Sequence, residues 1–143
     1  PGSHGSTFGG NPVAAASAMA TLQVIEEENL LAKAEQTGAA IMSALSDMQQ
    51  RHTSIGDVRG RGLMIGLEFV LDRHTKERAI DLRNAIVQNA FEDGLLLIPC
   101  GRNAIRMTPA LNVPDHLVDE ALHKFENALT KAEQVFLPQL AGV

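Results

Sequence analysis

The fold is decided at residues 63–71, Leu63-Met64-Ile65-Gly66-Leu67-Glu68-Phe69-Val70-Leu71. This run is almost continuously apolar, has the length of a strand, and is bounded by turn-forming residues at 59–62 and 72–75. It therefore predicts a β-strand. A glycine in mid-strand, Gly66, indicates that another group approaches the backbone closely.

Two helices are predicted on the N-terminal side of this strand. The first, 13–28, is rich in alanine, which favours helix and permits close packing against another domain or subunit; an ordinary alanine-rich helix is the alternative. The second, 30–51, has apolar residues at spacings of three and four, which predict one buried stripe. The members of that stripe are Leu31, Ala34, Gly38, Ile41, Leu45 and Met48.

After this strand, the sequence predicts a helix over 76–93, a hairpin of strands 95–99 and 104–108, and a last helix over 114–132. The predicted fold class is α+β, with a small antiparallel sheet of about three strands, helices on one face, and a two-helix N-terminal arm. We expect two units. Residues 1–52 form a loop and the arm, and residues 53–143 form a small α+β domain.

The first twelve residues, Pro1-Gly2-Ser3-His4-Gly5-Ser6-Thr7-Phe8-Gly9-Gly10-Asn11-Pro12, form a loop rich in glycine and hydroxyl groups. Asn11 is a good N-cap and Pro12 a good first helical residue. The glycines let backbone N–H groups approach an anion, and the helix N-terminus adds free donors at the positive end of its dipole. The segment indicates a phosphate-binding loop; the alternative is a flexible loop before a capped helix.

The composition narrows the class of protein. The 143 residues are 45% apolar and 20% charged, which is typical of a globular domain, and the net charge of −5 argues against nucleic-acid binding. The single cysteine, Cys100, excludes an internal disulfide, and the histidines lack metal-ligand spacing. No apolar run is long enough to cross a bilayer. The polar start and missing initiator Met suggest a fragment of a non-secreted protein, cytoplasmic or in the mitochondrial matrix.

Three segments carry a resemblance to a known family: His4–Pro12, Asp57–Met64 and Ile105–Leu111. They resemble class III (omega-amino-acid type) pyridoxal-phosphate aminotransferases of the 4-aminobutyrate and acetylornithine kind, and their order resembles the C-terminal third of such enzymes. The resemblance implies the C-terminal domain of a fold type I enzyme, pyridoxal 5′-phosphate as cofactor, and a homodimer. It implies that Thr7, with Ser6 beside it, binds the phosphate of the cofactor held by the other subunit.

Arg106 is the most informative charge of the second half. Its guanidinium is always protonated and can bind a carboxylate through two parallel hydrogen bonds, although an arginine on the wet face of an edge strand would look the same. The resemblance implies that Arg106 binds the substrate carboxylate. One departure from the family is Ala110, where a second proline is common. Arg59 and Arg61, expected in a loop, could bind an anion or pair with nearby acids.

The lysines are the main negative observation. Pyridoxal-phosphate chemistry requires a lysine that forms a Schiff base with the cofactor. In the family that the chain resembles, the catalytic lysine precedes the glycine-rich segment. None of the four lysines of this chain lies at such a position (Lys33, Lys76, Lys124, Lys131). We expect no catalytic residue here and no activity of this piece without the large N-terminal domain. The whole protein would transfer an amino group from an omega-amino acid, such as 4-aminobutyrate, to a 2-oxo acid. The alternative is a non-catalytic α+β module that binds a small anion or a partner.

Overall fold

The structure, a computed structural model, describes residues 4–137. Both ends of the chain, 1–3 and 138–143, lie outside this range, and the division at residue 52 stays a prediction. The described elements follow one another in this order: α1 (Pro12–Glu27), α2 (Leu30–Arg51), β1 (Ile55–Arg61), β2 (Met64–Asp72), β3 (Glu77–Arg78), α3 (Ile80–Glu92), β4 (Ile98–Cys100), β5 (Ala104–Met107) and α4 (Asp115–Phe136).

The strands form one antiparallel sheet in the order β1-β2-β5-β4, and β3 pairs with the end of β2. The predicted α+β class and the hairpin of β4 and β5 are confirmed. The prediction of about three strands omitted β1 and β3. Gly56 and Gly60 made 55–61 look like a loop, but pairing with β2 overrides that local preference. The tight β1–β2 turn uses Gly62 at a φ of +54°.

One face of the sheet is buried. Ile65, Leu67 and Phe69 alternate along β2 toward this face, as a half-buried strand requires. The helices α2, α3 and α4 contribute to the same core. The largest fully buried side chains of this core are Leu45, Ile55, Ile65, Leu67, Phe69, Leu82, Ile86, Ile105, Phe125 and Leu129. The opposite face of the sheet stays open in the described residues, and it carries the charged side chains of β1, β2 and β5.

The prediction of a two-helix N-terminal arm is wrong for the second helix, because α2 packs against the sheet. Ile41, Leu45 and Met48 on α2 belong to the sheet's core. The predicted stripe is right from Ala34 onward: Ala34 packs against the core, and Gly38, Ile41, Leu45 and Met48 are buried. At its start, Leu30 is buried and Leu31 is exposed. The hydrophobic pattern could not decide between these adjacent leucines, because Ala34 lies four residues after Leu30 and three residues after Leu31, and both spacings fit a helical stripe.

The first helix has its predicted start. Asn11 Oδ1 accepts a hydrogen bond from Ala14 N at 3.0 Å, and Pro12 is the first helical residue. No residue of α1 is buried, and Met19 and Leu22 are more than half exposed. Apolar surface of this kind on a helix is typical of an interface. Its close packing against another domain or subunit stays a prediction.

Candidate functional site

The glycine-rich loop is shaped by two local hydrogen bonds. Ser6 Oγ accepts from Gly9 N at 2.8 Å, and the Asn11 side-chain amide donates to the carbonyl of Phe8. Gly10 has a φ of +81°, which a residue with a side chain rarely adopts. These features hold residues 6–11 in one turn directly before the N-terminus of α1.

The loop has the chemistry and the space to receive an anion. Residues 4–11 are all exposed. A Cβ atom added at Gly5 or Gly10 would meet no heavy atom within 4 Å, so both backbones are open to a ligand. The hydroxyl of Thr7 makes no hydrogen bond to any described residue, and the Ser6 hydroxyl proton is still available for donation. A phosphate group fits this set of donors at a helix N-terminus.

Arg106 lies in the middle of the open face of the sheet. Its strand, β5, runs between β2 and β4, so the alternative of an edge strand does not apply. The register places Arg106 opposite Gly66 on one side and Ile98 on the other, and Gly66 in turn opposite Arg59. Directly paired residues share a face. A row of Arg59, Gly66, Arg106 and Ile98 therefore crosses the sheet.

Gly66 leaves a gap in that row. A Cβ atom there would have its nearest neighbour at 4.0 Å, the carbonyl oxygen of Arg59. Among residues 4–137 no group approaches Gly66 in the way the sequence predicted, and the space between the two arginines is open. No side-chain hydrogen bond or salt bridge joins Arg106 to another residue in that range. The guanidinium is therefore available to an incoming carboxylate.

Arg59 and Arg61 belong to β1, which corrects the expectation that they sit in a loop. Arg59 is the paired one: its Nη1 lies 2.5 Å from Asp57 Oδ2 and 3.2 Å from Glu68 Oε2. The hydrogen bond to Asp57 is the main cause that raises the pKa of Arg59, and the bond to Glu68 adds to it. Of the two alternatives for Arg59, pairing with local acids is the one observed.

Two buried polar side chains hold the hairpin that carries Arg106, and sequence reasoning missed both. Arg83 on α3 donates to the carbonyl oxygens of Ala104 and Arg102, each at 3.0 Å. Asn103 donates to the carbonyl of Phe69 at 2.6 Å, while Phe69 N donates to the Asn103 carbonyl at 2.8 Å. A charged residue between the core positions of α3 was the only signal for Arg83.

A second polar cluster joins the end of α2 to α4. His52 Nδ1 lies 2.6 Å from Glu133 Oε2, and Ser54 Oγ donates to the other oxygen of Glu133 at 2.5 Å. Arg51 Nη2 pairs with Glu126 at 2.5 Å. The hydrogen bond from Arg51 is the main cause that lowers the pKa of Glu126. Each side chain has a partner inside the cluster, which indicates a structural role.

The rest of the described chain offers neither a metal site nor a membrane span, but it does contain a cavity beside Arg106. No group of His, Cys, Asp and Glu within 4–137 is arranged to hold a metal ion. None of the helices in this range is both long and apolar enough to span a membrane. A mainly apolar cavity of about 170 Å³ borders Arg106, between the strands β4 and β5 and the start of α4.

The predicted phosphate-binding residues, Ser6 and Thr7, and the predicted carboxylate-binding residue, Arg106, lie in different parts of the fold. Thr7 lies in the loop before α1, whereas Arg106 lies in the sheet. No hydrogen bond or salt bridge within the described part of the chain links that loop to β5. The loop with Ser6 and Thr7 and the sheet face with Arg106 are therefore two separate candidate half-sites.

Comparison with known proteins is consistent across sequence and structure. Residues 1–129 match the family described as Aminotransferase class-III. The chain is 42% identical to a leucine/methionine racemase of Thermococcus litoralis, covering 94% of this chain and 30% of that protein. It is 39% identical to a 5-aminovalerate aminotransferase of Pseudomonas aeruginosa, covering 85% and 29%.

A solved structure supports the same assignment. The omega transaminase from Pseudomonas jessenii in complex with PMP superposes with a TM-score of 0.87 and 32% identity, over 96% of this chain and 30% of that one. The chain thus spans about 30% of the length of the curated relatives it matches. Pyridoxal phosphate is the cofactor of the matching family. With a family match over nine-tenths of its length and this fold, the chain belongs to the class III aminotransferases.

Proposed function

We propose that this chain is the C-terminal part of a pyridoxal-phosphate-dependent aminotransferase. The whole protein would transfer an amino group from an omega-amino acid, such as 4-aminobutyrate or 5-aminovalerate, to a 2-oxo acid. The observation that carries the proposal is Arg106, a guanidinium without a carboxylate partner among residues 4–137, on an open sheet face beside the gap at Gly66. Both substrates of such a reaction carry a carboxylate that this group can bind.

Each half-site has a defined task in this proposal. When bound, the cofactor supplies an electron sink for the carbon that loses its proton. Thr7 and Ser6 would donate hydrogen bonds to its phosphate, together with backbone N–H groups of the loop. Arg106 would bind and orient the substrate carboxylate through two hydrogen bonds. Neither residue moves a proton, so both are binding residues.

The separation of the half-sites favours a homodimer. Thr7 would act on cofactor bound by the partner subunit, while Arg106 serves the site of its own subunit. The exposed apolar residues of α1, which directly follows the loop, are consistent with a surface that another domain or subunit covers. The catalytic lysine would come from the large domain, and this piece alone would be inactive.

A second function is favoured by one comparison. The identity to the leucine/methionine racemase is 42%, against 39% for the 5-aminovalerate aminotransferase. An amino-acid racemase would use the same cofactor to remove and return the proton of an α-carbon, with no 2-oxo acid. Arg106 would then bind a carboxylate attached to the reacting carbon itself.

The test uses the intact protein. It should show cofactor absorbance, and borohydride reduction should attach the cofactor covalently to a lysine outside residues 1–143. With 5-aminovalerate and 2-oxoglutarate it should form glutamate. Racemisation of leucine without glutamate formation would reject the aminotransferase function and support the racemase function. Absence of the covalent adduct would reject both and favour the non-catalytic anion-binding module.

A further inference from the structure

Glu68 stands in the same register relation to two arginines of the open face. Arg59 and Arg106 are both paired with Gly66, on opposite sides of β2, and Glu68 lies two residues further along β2. Glu68 is thus the diagonal neighbour of each arginine on one face of the sheet. Diagonal neighbours are about 7–8 Å apart, within reach of long side chains.

Only one of the two contacts is made. Glu68 Oε2 lies 3.2 Å from Arg59 Nη1, and Glu68 Oε1 accepts from Asn103 Nδ2 at 3.4 Å. Both carboxylate oxygens are therefore engaged by groups other than Arg106. The stronger partner of Arg59 is Asp57, at 2.5 Å, so a pair of acids holds this arginine on the β1 side of the face.

We propose that Arg59 is a positioning residue that determines specificity for carboxylate substrates by holding Glu68 away from Arg106. Without Arg59, Glu68 would pair with Arg106 across the diagonal and occupy the guanidinium that the substrate needs. The ion pair is largely exposed in this chain, so its contribution to stability is small. The presence of Arg59 instead determines whether Glu68 pairs with Arg59 or with Arg106.

The inference rests on the proposed function. Its test asks whether a second substitution, at Glu68, restores the KM that a substitution at Arg59 has raised. In the intact enzyme, Arg59→Gln should raise KM for 5-aminovalerate by about tenfold with little change in kcat, since an internal carboxylate competes for the clamp. With 2-oxoglutarate kept saturating, since its carboxylate uses the same clamp, an alkyl amine of the same length without the carboxylate should show no change in its KM. Glu68→Gln added to Arg59→Gln should restore KM to near the wild-type value.

A matched control separates this effect from simple loss of charge. Arg61 is on the same strand, is exposed, and makes no salt bridge with Glu68. Arg61→Gln removes the same charge and should leave KM unchanged. A tenfold rise for Arg61→Gln, or no rescue in the double variant, would overturn the inference.

A structural measurement makes the outcome independent of turnover. In a crystal structure of the Arg59→Gln variant, a Glu68 carboxylate oxygen should lie within salt-bridge distance of the Arg106 guanidinium. If Glu68 remains on the β1 side, the inference is wrong even when the wild-type enzyme is a transaminase. If the wild-type enzyme neither transaminates nor racemises, the proposed function fails, whichever partner Glu68 takes in the variant.

Discussion

Gly38 of α2 lies directly against the backbone of Gly62 in the β1–β2 turn. A Cβ atom at position 38 would stand 2.2 Å from the Gly62 carbonyl oxygen and 2.8 Å from its Cα atom. These contacts are with backbone, which cannot rotate away as a side chain can. The missing side chain therefore sets how closely the helix packs on the hairpin that carries Arg59 and Glu68.

Replacing this glycine should destabilise the protein. We expect Gly38→Ala to lower the free energy of unfolding by about 2–3 kcal/mol, because overpacking outweighs the gain of about 1 kcal/mol in helix propensity. Urea denaturation monitored by circular dichroism measures the difference. Gly66→Ala is the control, since a Cβ there meets nothing nearer than 4.0 Å. Equal stabilities of Gly38→Ala and wild type would show that the contact is not tight.

Arg83 should matter more for stability than its place in a helix suggests. It is 7% exposed and donates to two carbonyl oxygens of the β4–β5 hairpin. Arg83→Met keeps the apolar stem but leaves both acceptors without their donor, which should cost about 3 kcal/mol. Thermal unfolding of the protein gives the value. A cost below about 1 kcal/mol would mean that other donors replace the guanidinium.

The sequence predicts the elements better than it predicts the contacts between them. The period of apolar residues identifies α2, α3 and α4, and an apolar run identifies β2, because burial acts on each of these elements separately. Helix α1 is identified by its alanine content and its cap instead. The sequence does not predict strand β1, because Gly56 and Gly60 are typical of a loop. In the fold these glycines allow close packing: a Cβ atom at Gly60 would lie 2.6 Å from the Met64 carbonyl oxygen. No local pattern encodes such contacts.

For the candidate site as well, the sequence predicts the residues better than it predicts the contacts between them. The types of the loop residues and Arg106 could be read as anion-binding groups because their chemistry is local. Arg59 has acidic partners, whereas Arg106 has none among residues 4–137, and this difference depends on the register of three strands. Arg83 and Asn103, which hold the hairpin, contact backbone atoms far away in sequence, and such contacts have no signature in a single sequence.

The Arg51–Glu126 pair should make stability depend on pH in the acid range. The pKa of Glu126 is lowered from 4.5, chiefly by the hydrogen bond from Arg51. The unfolded state therefore binds this proton first, so the stabilisation is present above pH 4.5 and is lost as the pH falls through the lower folded-state pKa. The pair is partly exposed, so the effect should be about 1 kcal/mol or less.

A double-mutant cycle checks this expectation. The coupling energy between Arg51→Gln and Glu126→Gln, from urea denaturation, should be measurable at pH 7 and should decrease as the pH is lowered below 4.5. A coupling of the same size at pH 7 and below pH 4.5 would contradict the assignment to this carboxylate. The His52–Glu133 contact is left intact in all four proteins of the cycle.

Arg106 should control affinity for the carboxylate of the substrate. Arg106→Gln should raise KM for 5-aminovalerate by about a hundredfold, because two charge-assisted hydrogen bonds are lost, and Arg106→Lys should recover only part of it. Steady-state kinetics of the intact enzyme give both values. In the half-reaction with the amine alone, followed by cofactor absorbance in the absence of a 2-oxo acid, an amine without a carboxylate should react equally well with all three proteins. A similar loss for that amine would indicate a structural role instead.

Thr7 should affect cofactor retention. Thr7→Ala should weaken retention of the cofactor by about tenfold, since one hydrogen bond to a charged phosphate is lost. The cofactor remaining after dialysis, measured by absorbance, gives the change. Ser6→Ala should have a smaller effect, because Ser6 Oγ already accepts from Gly9 N. Unchanged retention in Thr7→Ala would reject the phosphate role.

The subunit on which Thr7 acts can be determined with mixed dimers. One subunit carries Thr7→Ala, and the other lacks only the catalytic lysine of the large domain. If Thr7 serves the partner's cofactor, one site of the dimer combines an intact lysine with an intact Thr7, and the mixture regains about half the activity per dimer at normal cofactor affinity. If Thr7 serves its own subunit, every site with a lysine lacks Thr7, and the mixed dimers show the weakened affinity of the Thr7→Ala protein. The second result would place both half-sites in one subunit and would reject the proposed contribution of Thr7 to the partner's site.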